Sequence, residues 1–245
     1  MRARIDEIAE RIYRISTFVP GAAGPQGFTY NQFLLRAEEP LLFHTGMRGL
    51  FGAVPAAIVT VLPLEELRWI AFGHLEADEC GAVNEFLAAC PNAQVASGAR
   101  ACRLSLDDLC DRTPRTLADG EILDIGGKQV RRHVRQIDTP HVPHNREAQV
   151  MFEEQTATLL CGDLFTQLGD GEPVVGVDLI ERSLAAEITS RPTSNLRAAA
   201  ATLRSLAELV PTTLAVMHGS SFSGGGGAAL RRPAEGLTGL AASAE

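Results

Sequence analysis

A histidine, a glutamate two residues later and an aspartate two further on stand in Gly73-His74-Leu75-Glu76-Ala77-Asp78-Glu79-Cys80-Gly81, directly after the apolar stretch Leu67-Arg68-Trp69-Ile70-Ala71-Phe72. Further candidates follow in Thr139-Pro140-His141-Val142-Pro143-His144, in Leu160-Cys161-Gly162-Asp163 and in Val216-Met217-His218-Gly219. Imidazole and carboxylate donors gathered at strand ends are what a pair of divalent ions needs. In an extended or looping segment alternate side chains point the same way, so one ion takes His74 and Glu76 while Asp78 reaches a second. Asp163 has two oxygens and can bridge both ions. His141 and His218 supply a neutral imidazole to each, and His144 competes with His141 for its place. A lone buried histidine is more often a satisfied core residue than a ligand; it is the joint pattern that points to metal.

The donor mix bears on which metal. It is rich in carboxylate, and the five cysteines offer no plausible thiolate quartet. Two divalent ions bring four positive charges, of which Glu76, Asp78 and Asp163 return three; Glu79, if it also binds, neutralises the fourth. Added anionic oxygen donors stabilise a ferric pair, and hard donors favour iron or manganese. Imidazole suits zinc as well.

Elements must bring these segments together. Arg11 to Ile15, Gly27 to Leu35 and Pro40 to Phe43 read as strands, the last two as a hairpin around Ala37-Glu38-Glu39. Pro55 to Leu62 reads as helix, Leu67 to Phe72 as a buried strand and Ala82 to Ala89 as helix. Ser105 caps a short helix over Ser105-Leu106-Asp107-Asp108-Leu109. Strands return over Glu121 to Ile125, Gln129 to Ile137, Gln149 to Phe152 and Thr158 to Cys161. Helices run from Asp178 to about Thr189 and from Asn195 to Leu209, the latter with a stripe of Leu196, Ala199, Leu203, Leu206 and Leu209. Thr213 to Met217 is a final strand. The glycine-rich Ser220 to Gly227 and the Ala/Gly/Leu-biased tail to Glu245 read as loop plus helix or frayed end. Strands and helices interleave throughout, and each candidate ligand follows an apolar strand-like segment, where the loops of α/β sheet proteins carry polar groups.

Bulk properties narrow the classes. The length fits one large domain or two small ones, and a hydrophobic fraction of 45% is enough for a sizeable core. A net charge of -8 disfavours a nucleic-acid partner. The N-terminus mixes charge signs without an apolar stretch, so no signal peptide is read there. Leu50 to Leu62, the longest apolar stretch, is too short to span a bilayer and contains Pro55. An odd cysteine count (Cys80, Cys90, Cys102, Cys110, Cys161) without a C-x-x-C pair suits buried thiols in a reducing cytoplasm.

The ligand set resembles the metallo-β-lactamase superfamily, and within it the flavodiiron proteins and related oxygen-binding diiron proteins. Most hydrolases of that superfamily carry H-x-H-x-D-H, whereas this chain has Glu76 at the second position; His-x-Glu-x-Asp is the flavodiiron variant. His141-Val142-Pro143 resembles the family's His-Trp-Pro, Cys161-Gly162-Asp163-Leu164-Phe165 its bridging-aspartate strand end, Met217-His218-Gly219 its last ligand, and Tyr30-Asn31-Gln32-Phe33-Leu34 its second strand. The resemblance covers about residues 10 to 222, leaving 223–245 as a tail of one 1–245 domain. It implies an α/β fold, an αββα sandwich of two mixed sheets flanked by helices, with the metals at one edge. It favours His141 as ligand, with His144 facing substrate or a metal-bound oxygen. Two departures stand out. Glu79 occupies the place of the motif's last histidine, as a carboxylate ligand, an acid behind the ligands or a solvated residue. No flavodoxin-like unit is present, so no flavin is expected in this chain.

The resemblance and the carboxylates together imply a cytoplasmic non-haem diiron protein that binds or reduces dioxygen or nitric oxide, with electrons from a separate redox protein and a homodimer as one possible state. The competing readings are a dinuclear metallohydrolase acting on an ester, lactone or thioester, and an oxygen or iron sensor without turnover. His44 and His133 are read as structural or exposed, although His44, at a strand end, could approach the site from outside. Cys80 reads as a small buried residue at a helix start, with pocket lining as the alternative.

Overall fold

Alternate residues on the central strands enter different cores. In β3 (Phe28–Leu35), Phe33 and Leu35 face one cluster and Leu34 another; in β4 (Leu41–Phe43), Leu41 and Phe43 part from Leu42 in the same way. A strand buried on both faces needs a layer above and below it. The computed structural model, which describes residues 2–127, 131–176 and 179–243, supplies those layers. The starting points expected at Gln129 and Asp178 lie outside the described residues.

β3 and β4 belong to a sheet with β1 (Arg4–Ala9), β2 (Ile12–Val19), β5 (Trp69–Ala71), β6 (Gln94–Gly98) and β7 (Arg115–Leu117), ordered as in the chain. The pairs from β1 to β4 are antiparallel and those from β4 to β7 parallel. The second sheet contains β8 (Ile122–Asp124), β9 (His133–Asp138), β10 (Gln149–Glu153), β11 (Thr158–Leu160), β12 (Val174–Val175), β13 (Thr213–Ala215) and β14 (Ser221–Ser223), ordered β12-β14-β13-β11-β10-β9-β8. Its β11–β13 pair is parallel and its β9–β10–β11 run antiparallel.

Between the sheets lie Phe33, Leu41, Phe43, Trp69 and Ala71 from one side and Val134, Met151, Leu160 and Ala215 from the other. The outer face of the first sheet packs on α1 (Ala53–Ile58), α2 (Ala77–Cys80) and α3 (Val83–Ala89), and on α4 (Ala99–Ala101) and a π segment Cys102–Leu106 that continues into the exposed α5 (Asp107–Leu109). The outer face of the second packs on α6 (Leu179–Ser190), α7 (Leu196–Ala207) and α8 (Gly226–Ser243). This is the αββα sandwich of two mixed sheets. No helix among the described residues is long and apolar enough to cross a membrane.

Some elements depart from the sequence reading. Ser105 caps nothing; it lies inside the π segment, because the helical run already starts after Gly98 with Ala99-Arg100-Ala101. β6 was not expected, since Ala96-Ser97-Gly98 has little strand propensity; parallel pairing with β5 and β7 imposes it. β1, with Arg4, Asp6 and Glu7, is an edge strand whose charges hide its pattern. The C-terminal tail forms α8, whose Leu230, Ala234 and Leu237 join the cluster holding Leu203 and Leu206 of α7.

Asn195 caps α7 by accepting a hydrogen bond from the Ala198 N–H at 3.0 Å. Leu203, 1% exposed, joins α7, α8 and the second sheet. Leu203→Ala is expected to cost about 3 kcal/mol, from lost burial plus a cavity, read as a lower urea midpoint with an unchanged slope.

Candidate metal centre

Every sequence-predicted segment opens onto one edge of the sandwich. His74 lies on the loop after β5, His144 on the loop from β9 to β10, Asp163 after β11 and His218 after β13. Glu76 is the N-cap of α2, with extended backbone (φ −125°, ψ 159°), and Asp78 sits in that helix's first turn. The two sheets touch here. A Cβ on Gly73 would lie 3.0 Å from Gly162 Cα and from both Glu79 oxygens, so a side chain there would push the His74 and Asp163 loops apart by a few tenths of an ångström. Gln149, at the start of β10, stitches them: its amide donates to Phe72 O (2.8 Å) and Ser97 Oγ (2.9 Å), and its carbonyl oxygen accepts from Gly98 N (2.8 Å).

The side chains converge in two groups that share Asp163. On one side His144 Nε2 lies 3.1 Å from His74 Nε2, 3.4 Å from Glu76 Oε1 and 3.3 Å from Asp163 Oδ2. His74 Nε2 is 3.5 Å from Glu76 Oε1 and 3.7 Å from Asp163 Oδ2. On the other side His218 Nε2 lies 3.1 Å from Asp163 Oδ1 and 3.4 Å from Asp78 Oδ2. His74 and His218 are buried, whereas the Glu76 side chain is 46% exposed and forms the open side.

The ring orientations test whether metal fits. His218 Nδ1 lies 2.7 Å from Thr29 O and His144 Nδ1 2.9 Å from Pro192 O; a carbonyl only accepts, so each Nδ1 carries the hydrogen. His74 Nδ1 lies 3.0 Å from the Glu79 carboxylate, which can only accept, so the hydrogen belongs on that nitrogen as well. In the neutral rings all three Nε2 lone pairs therefore aim into the carboxylate cluster, two of them 3.1 Å apart. Such an array of acceptors requires positive charge. With protons alone, burial disfavours charging His74, but Glu79, Glu76 and Asp163 outweigh it and push its pKa up to about 12. Asp163 and Glu76 push His144 up to about 10; Asp163 and Asp78 do the same for His218 against its burial. Protons on both His74 Nε2 and His144 Nε2 would set two imidazolium rings against each other at 3.1 Å. Metal ions held there would meet these acceptors, and Asp163 Oδ1, buried without a well-aligned hydrogen bond among the described residues, is left for one. His74, Glu76, His144 and Asp163 also have donor atoms all within 4.8 Å of one another.

His141 departs from its expected place, and Glu79 takes the one of its three expected places that lies behind the ligands. His141 does not reach the cluster: its N–H bonds Asn145 O at 2.7 Å, its φ of +64° turns the chain and its side chain is exposed. His144 takes the place expected of His141. Glu79 is neither ligand-facing nor solvated. Fully buried, it accepts from the His74 backbone N–H (2.6 Å) and faces His44 Nε2 (3.2 Å). Burial opposes its charge, but His44 and His74 hold its pKa down at about 2. His44 is thus an interior partner rather than an outside one, and only its strand-end position hinted at this. Cys80 is a buried core residue whose pKa burial, then Glu79, pushes up to about 12.

An αββα sandwich with a cluster of histidines and carboxylates at its sheet edge is the architecture of the metallo-β-lactamase class. Residues 28–219 match the model of the ODP family beta lactamase, and the chain belongs to that family. It is 27% identical over 149 residues to an anaerobic nitric oxide reductase flavorubredoxin of Pectobacterium atrosepticum, a match covering 58% of this chain and 28% of that protein. The fold is similar to the metal-soaked Flv1 flavodiiron core from Synechocystis sp. PCC6803 (TM-score 0.80, 19% identity, 97% of this chain and 61% of that one). It is also similar to the rubredoxin oxygen:oxidoreductase of Desulfovibrio gigas (TM-score 0.78, 19% identity, 96% and 60%). The match spans under a third of the flavorubredoxin's length, and the chain spans under two thirds of either structure.

His144→Ala is expected to lose metal and His141→Ala to keep it, measured as ions per chain after gel filtration. Asp163→Ala is expected to lose both ions, since each of its oxygens serves a different group.

Proposed function

We propose that this chain is a non-haem diiron protein that binds or reduces dioxygen or nitric oxide, taking electrons from a separate donor protein. The observation that carries the reading is the set of oxygens around three inward-facing imidazoles: Asp163 gives one oxygen to each histidine group, while Glu76 and Asp78 add one carboxylate apiece. A carboxylate-rich dinuclear site favours iron over zinc, and the named activities of the flavorubredoxin and of the rubredoxin oxygen:oxidoreductase agree with a redox role. Iron held there would supply Lewis acidity and electrons to a small oxidant.

The residues divide the work. His74 and His218 form a buried floor, with the largely covered Asp163 between them. Glu76 and His144 border the open side, where a diatomic molecule enters and a proton reaches it from solvent. Phe28 stacks on His218 with ring centroids 4.0 Å apart and Tyr30 meets it edge-on at 5.6 Å, keeping that flank dry.

Protein from iron-replete cells is expected to carry close to two ions per chain, mostly iron, by elemental analysis. Two zinc ions under those conditions would sink the redox reading. Glu76→His removes one negative charge, so it is expected to shift the preference toward zinc and to lose oxygen- or nitric-oxide-dependent oxidation of a reduced donor. If wild type hydrolyses esters or lactones well, consumes no oxidant with any reductant, and the variant changes neither, the chain is a hydrolase.

A further inference from the structure

We propose that a small apolar pocket behind Asp163 holds an uncharged diatomic molecule beside the metal centre. This rests on the diiron reading above and adds a holding place for the oxidant, separate from the open side bordered by Glu76 and His144.

The pocket lies where the turn after β11 meets the helical layer of the second sheet. Leu164 and Phe165 wall it from the turn, Leu184 from α6, Ala199 and Leu203 from α7 and Leu237 from α8. All six belong to that sheet's outer core or pack against it. Phe165 sits in the left-handed region, with φ +67°, where a bulky residue is seldom found. Its side chain is nonetheless buried in the same core.

The pocket adjoins the metal centre on the His144 side. Asp163, whose oxygens face His144 and His218, stands on its wall. So do Pro143, directly before His144, and Pro192, whose carbonyl accepts from His144 Nδ1. His74, Glu76, Asp78, His144 and His218 do not line it, so the pocket is distinct from the ligand cluster.

Size and lining select the occupant. The volume is about 40 Å³. That is a few times the roughly 10–15 Å³ one water requires and far below the ~150 Å³ of an apolar cavity that takes benzene. An ester or lactone does not fit. The wall carries Asp163 and Glu187 but no Lys, Arg or His, so an anion is repelled. The polar groups bond one another: Thr193 Oγ1 donates to Glu187 at 2.7 Å and Thr166 Oγ1 to Asp163 O at 2.8 Å. A water needs two to four polar partners and finds these engaged. A neutral diatomic needs none and gains dispersion contacts from the surrounding side chains. Held there, it is one residue, Asp163, away from the cluster.

The test uses xenon as an apolar probe of diatomic size. Crystals of the full chain under xenon pressure are expected to show a xenon atom among Leu164, Phe165, Ala199 and Leu203. Ala199→Leu fills the pocket; it should lose the xenon and raise the KM for dioxygen about tenfold at the same iron content, with a reduced dye as donor. Leu203→Ala enlarges the pocket and should take up more xenon, which keeps the proposal testable if Ala199→Leu does not fold. No xenon at this place in wild type or in Leu203→Ala overturns the proposal. So does an unchanged KM in an Ala199→Leu protein that has lost the xenon. A wild type that binds xenon here but consumes neither dioxygen nor nitric oxide overturns the diiron reading and, with it, the pocket's role in holding the oxidant; a wild type that consumes oxidant without binding xenon overturns the pocket alone.

Discussion

Three imidazole lone pairs and three carboxylates turned toward one another repel, and the structure has to hold that repulsion still. It does so with acceptors at the back of each ring: Thr29 O behind His218, Pro192 O behind His144 and the Glu79 carboxylate behind His74. Each acceptor pins a hydrogen on Nδ1 and leaves Nε2 as the inward donor. The acceptors come from three different places: β3, the loop before α7 and α2. The fold thus fixes which nitrogen of each ring faces the cluster.

Placing such a cluster at a sheet edge follows from the layers. Strands buried on both faces have no room for a group of charges, whereas the loops at their ends do. β5 and β11 are short and apolar, and each runs straight into its ligand loop. Close approach of the loops then rests on small residues, Gly73 against Gly162, with Gln149 bonding across the gap.

Much of this was legible in the sequence because it is local. Spacing of two between His74, Glu76 and Asp78 survives into the structure, and Asp163 and His218 follow strands that apolar runs announce. Choosing between His141 and His144 was not a local matter. A left-handed turn at His141, closed by its bond to Asn145 O, sends one ring to solvent and carries the other inward; a histidine has no particular signature for that conformation. The pairing of Glu79 with His44 was hidden for a different reason. The two are far apart in the chain, and only the parallel pairing of β4 with β5 makes them neighbours. Likewise β6 is a strand by virtue of what lies beside it, not of its own residues.

Gln149 carries a mechanical consequence. It bonds Phe72 and Ser97 from the first sheet and, through its backbone N–H, Gly73 O at 2.7 Å, while itself belonging to the second. Opening either sheet at this edge breaks all of these bonds together. The two halves of the cluster therefore cannot fray separately: the edge opens as one cooperative unit, and amide exchange at Gly98 and Gln149 reports the same event.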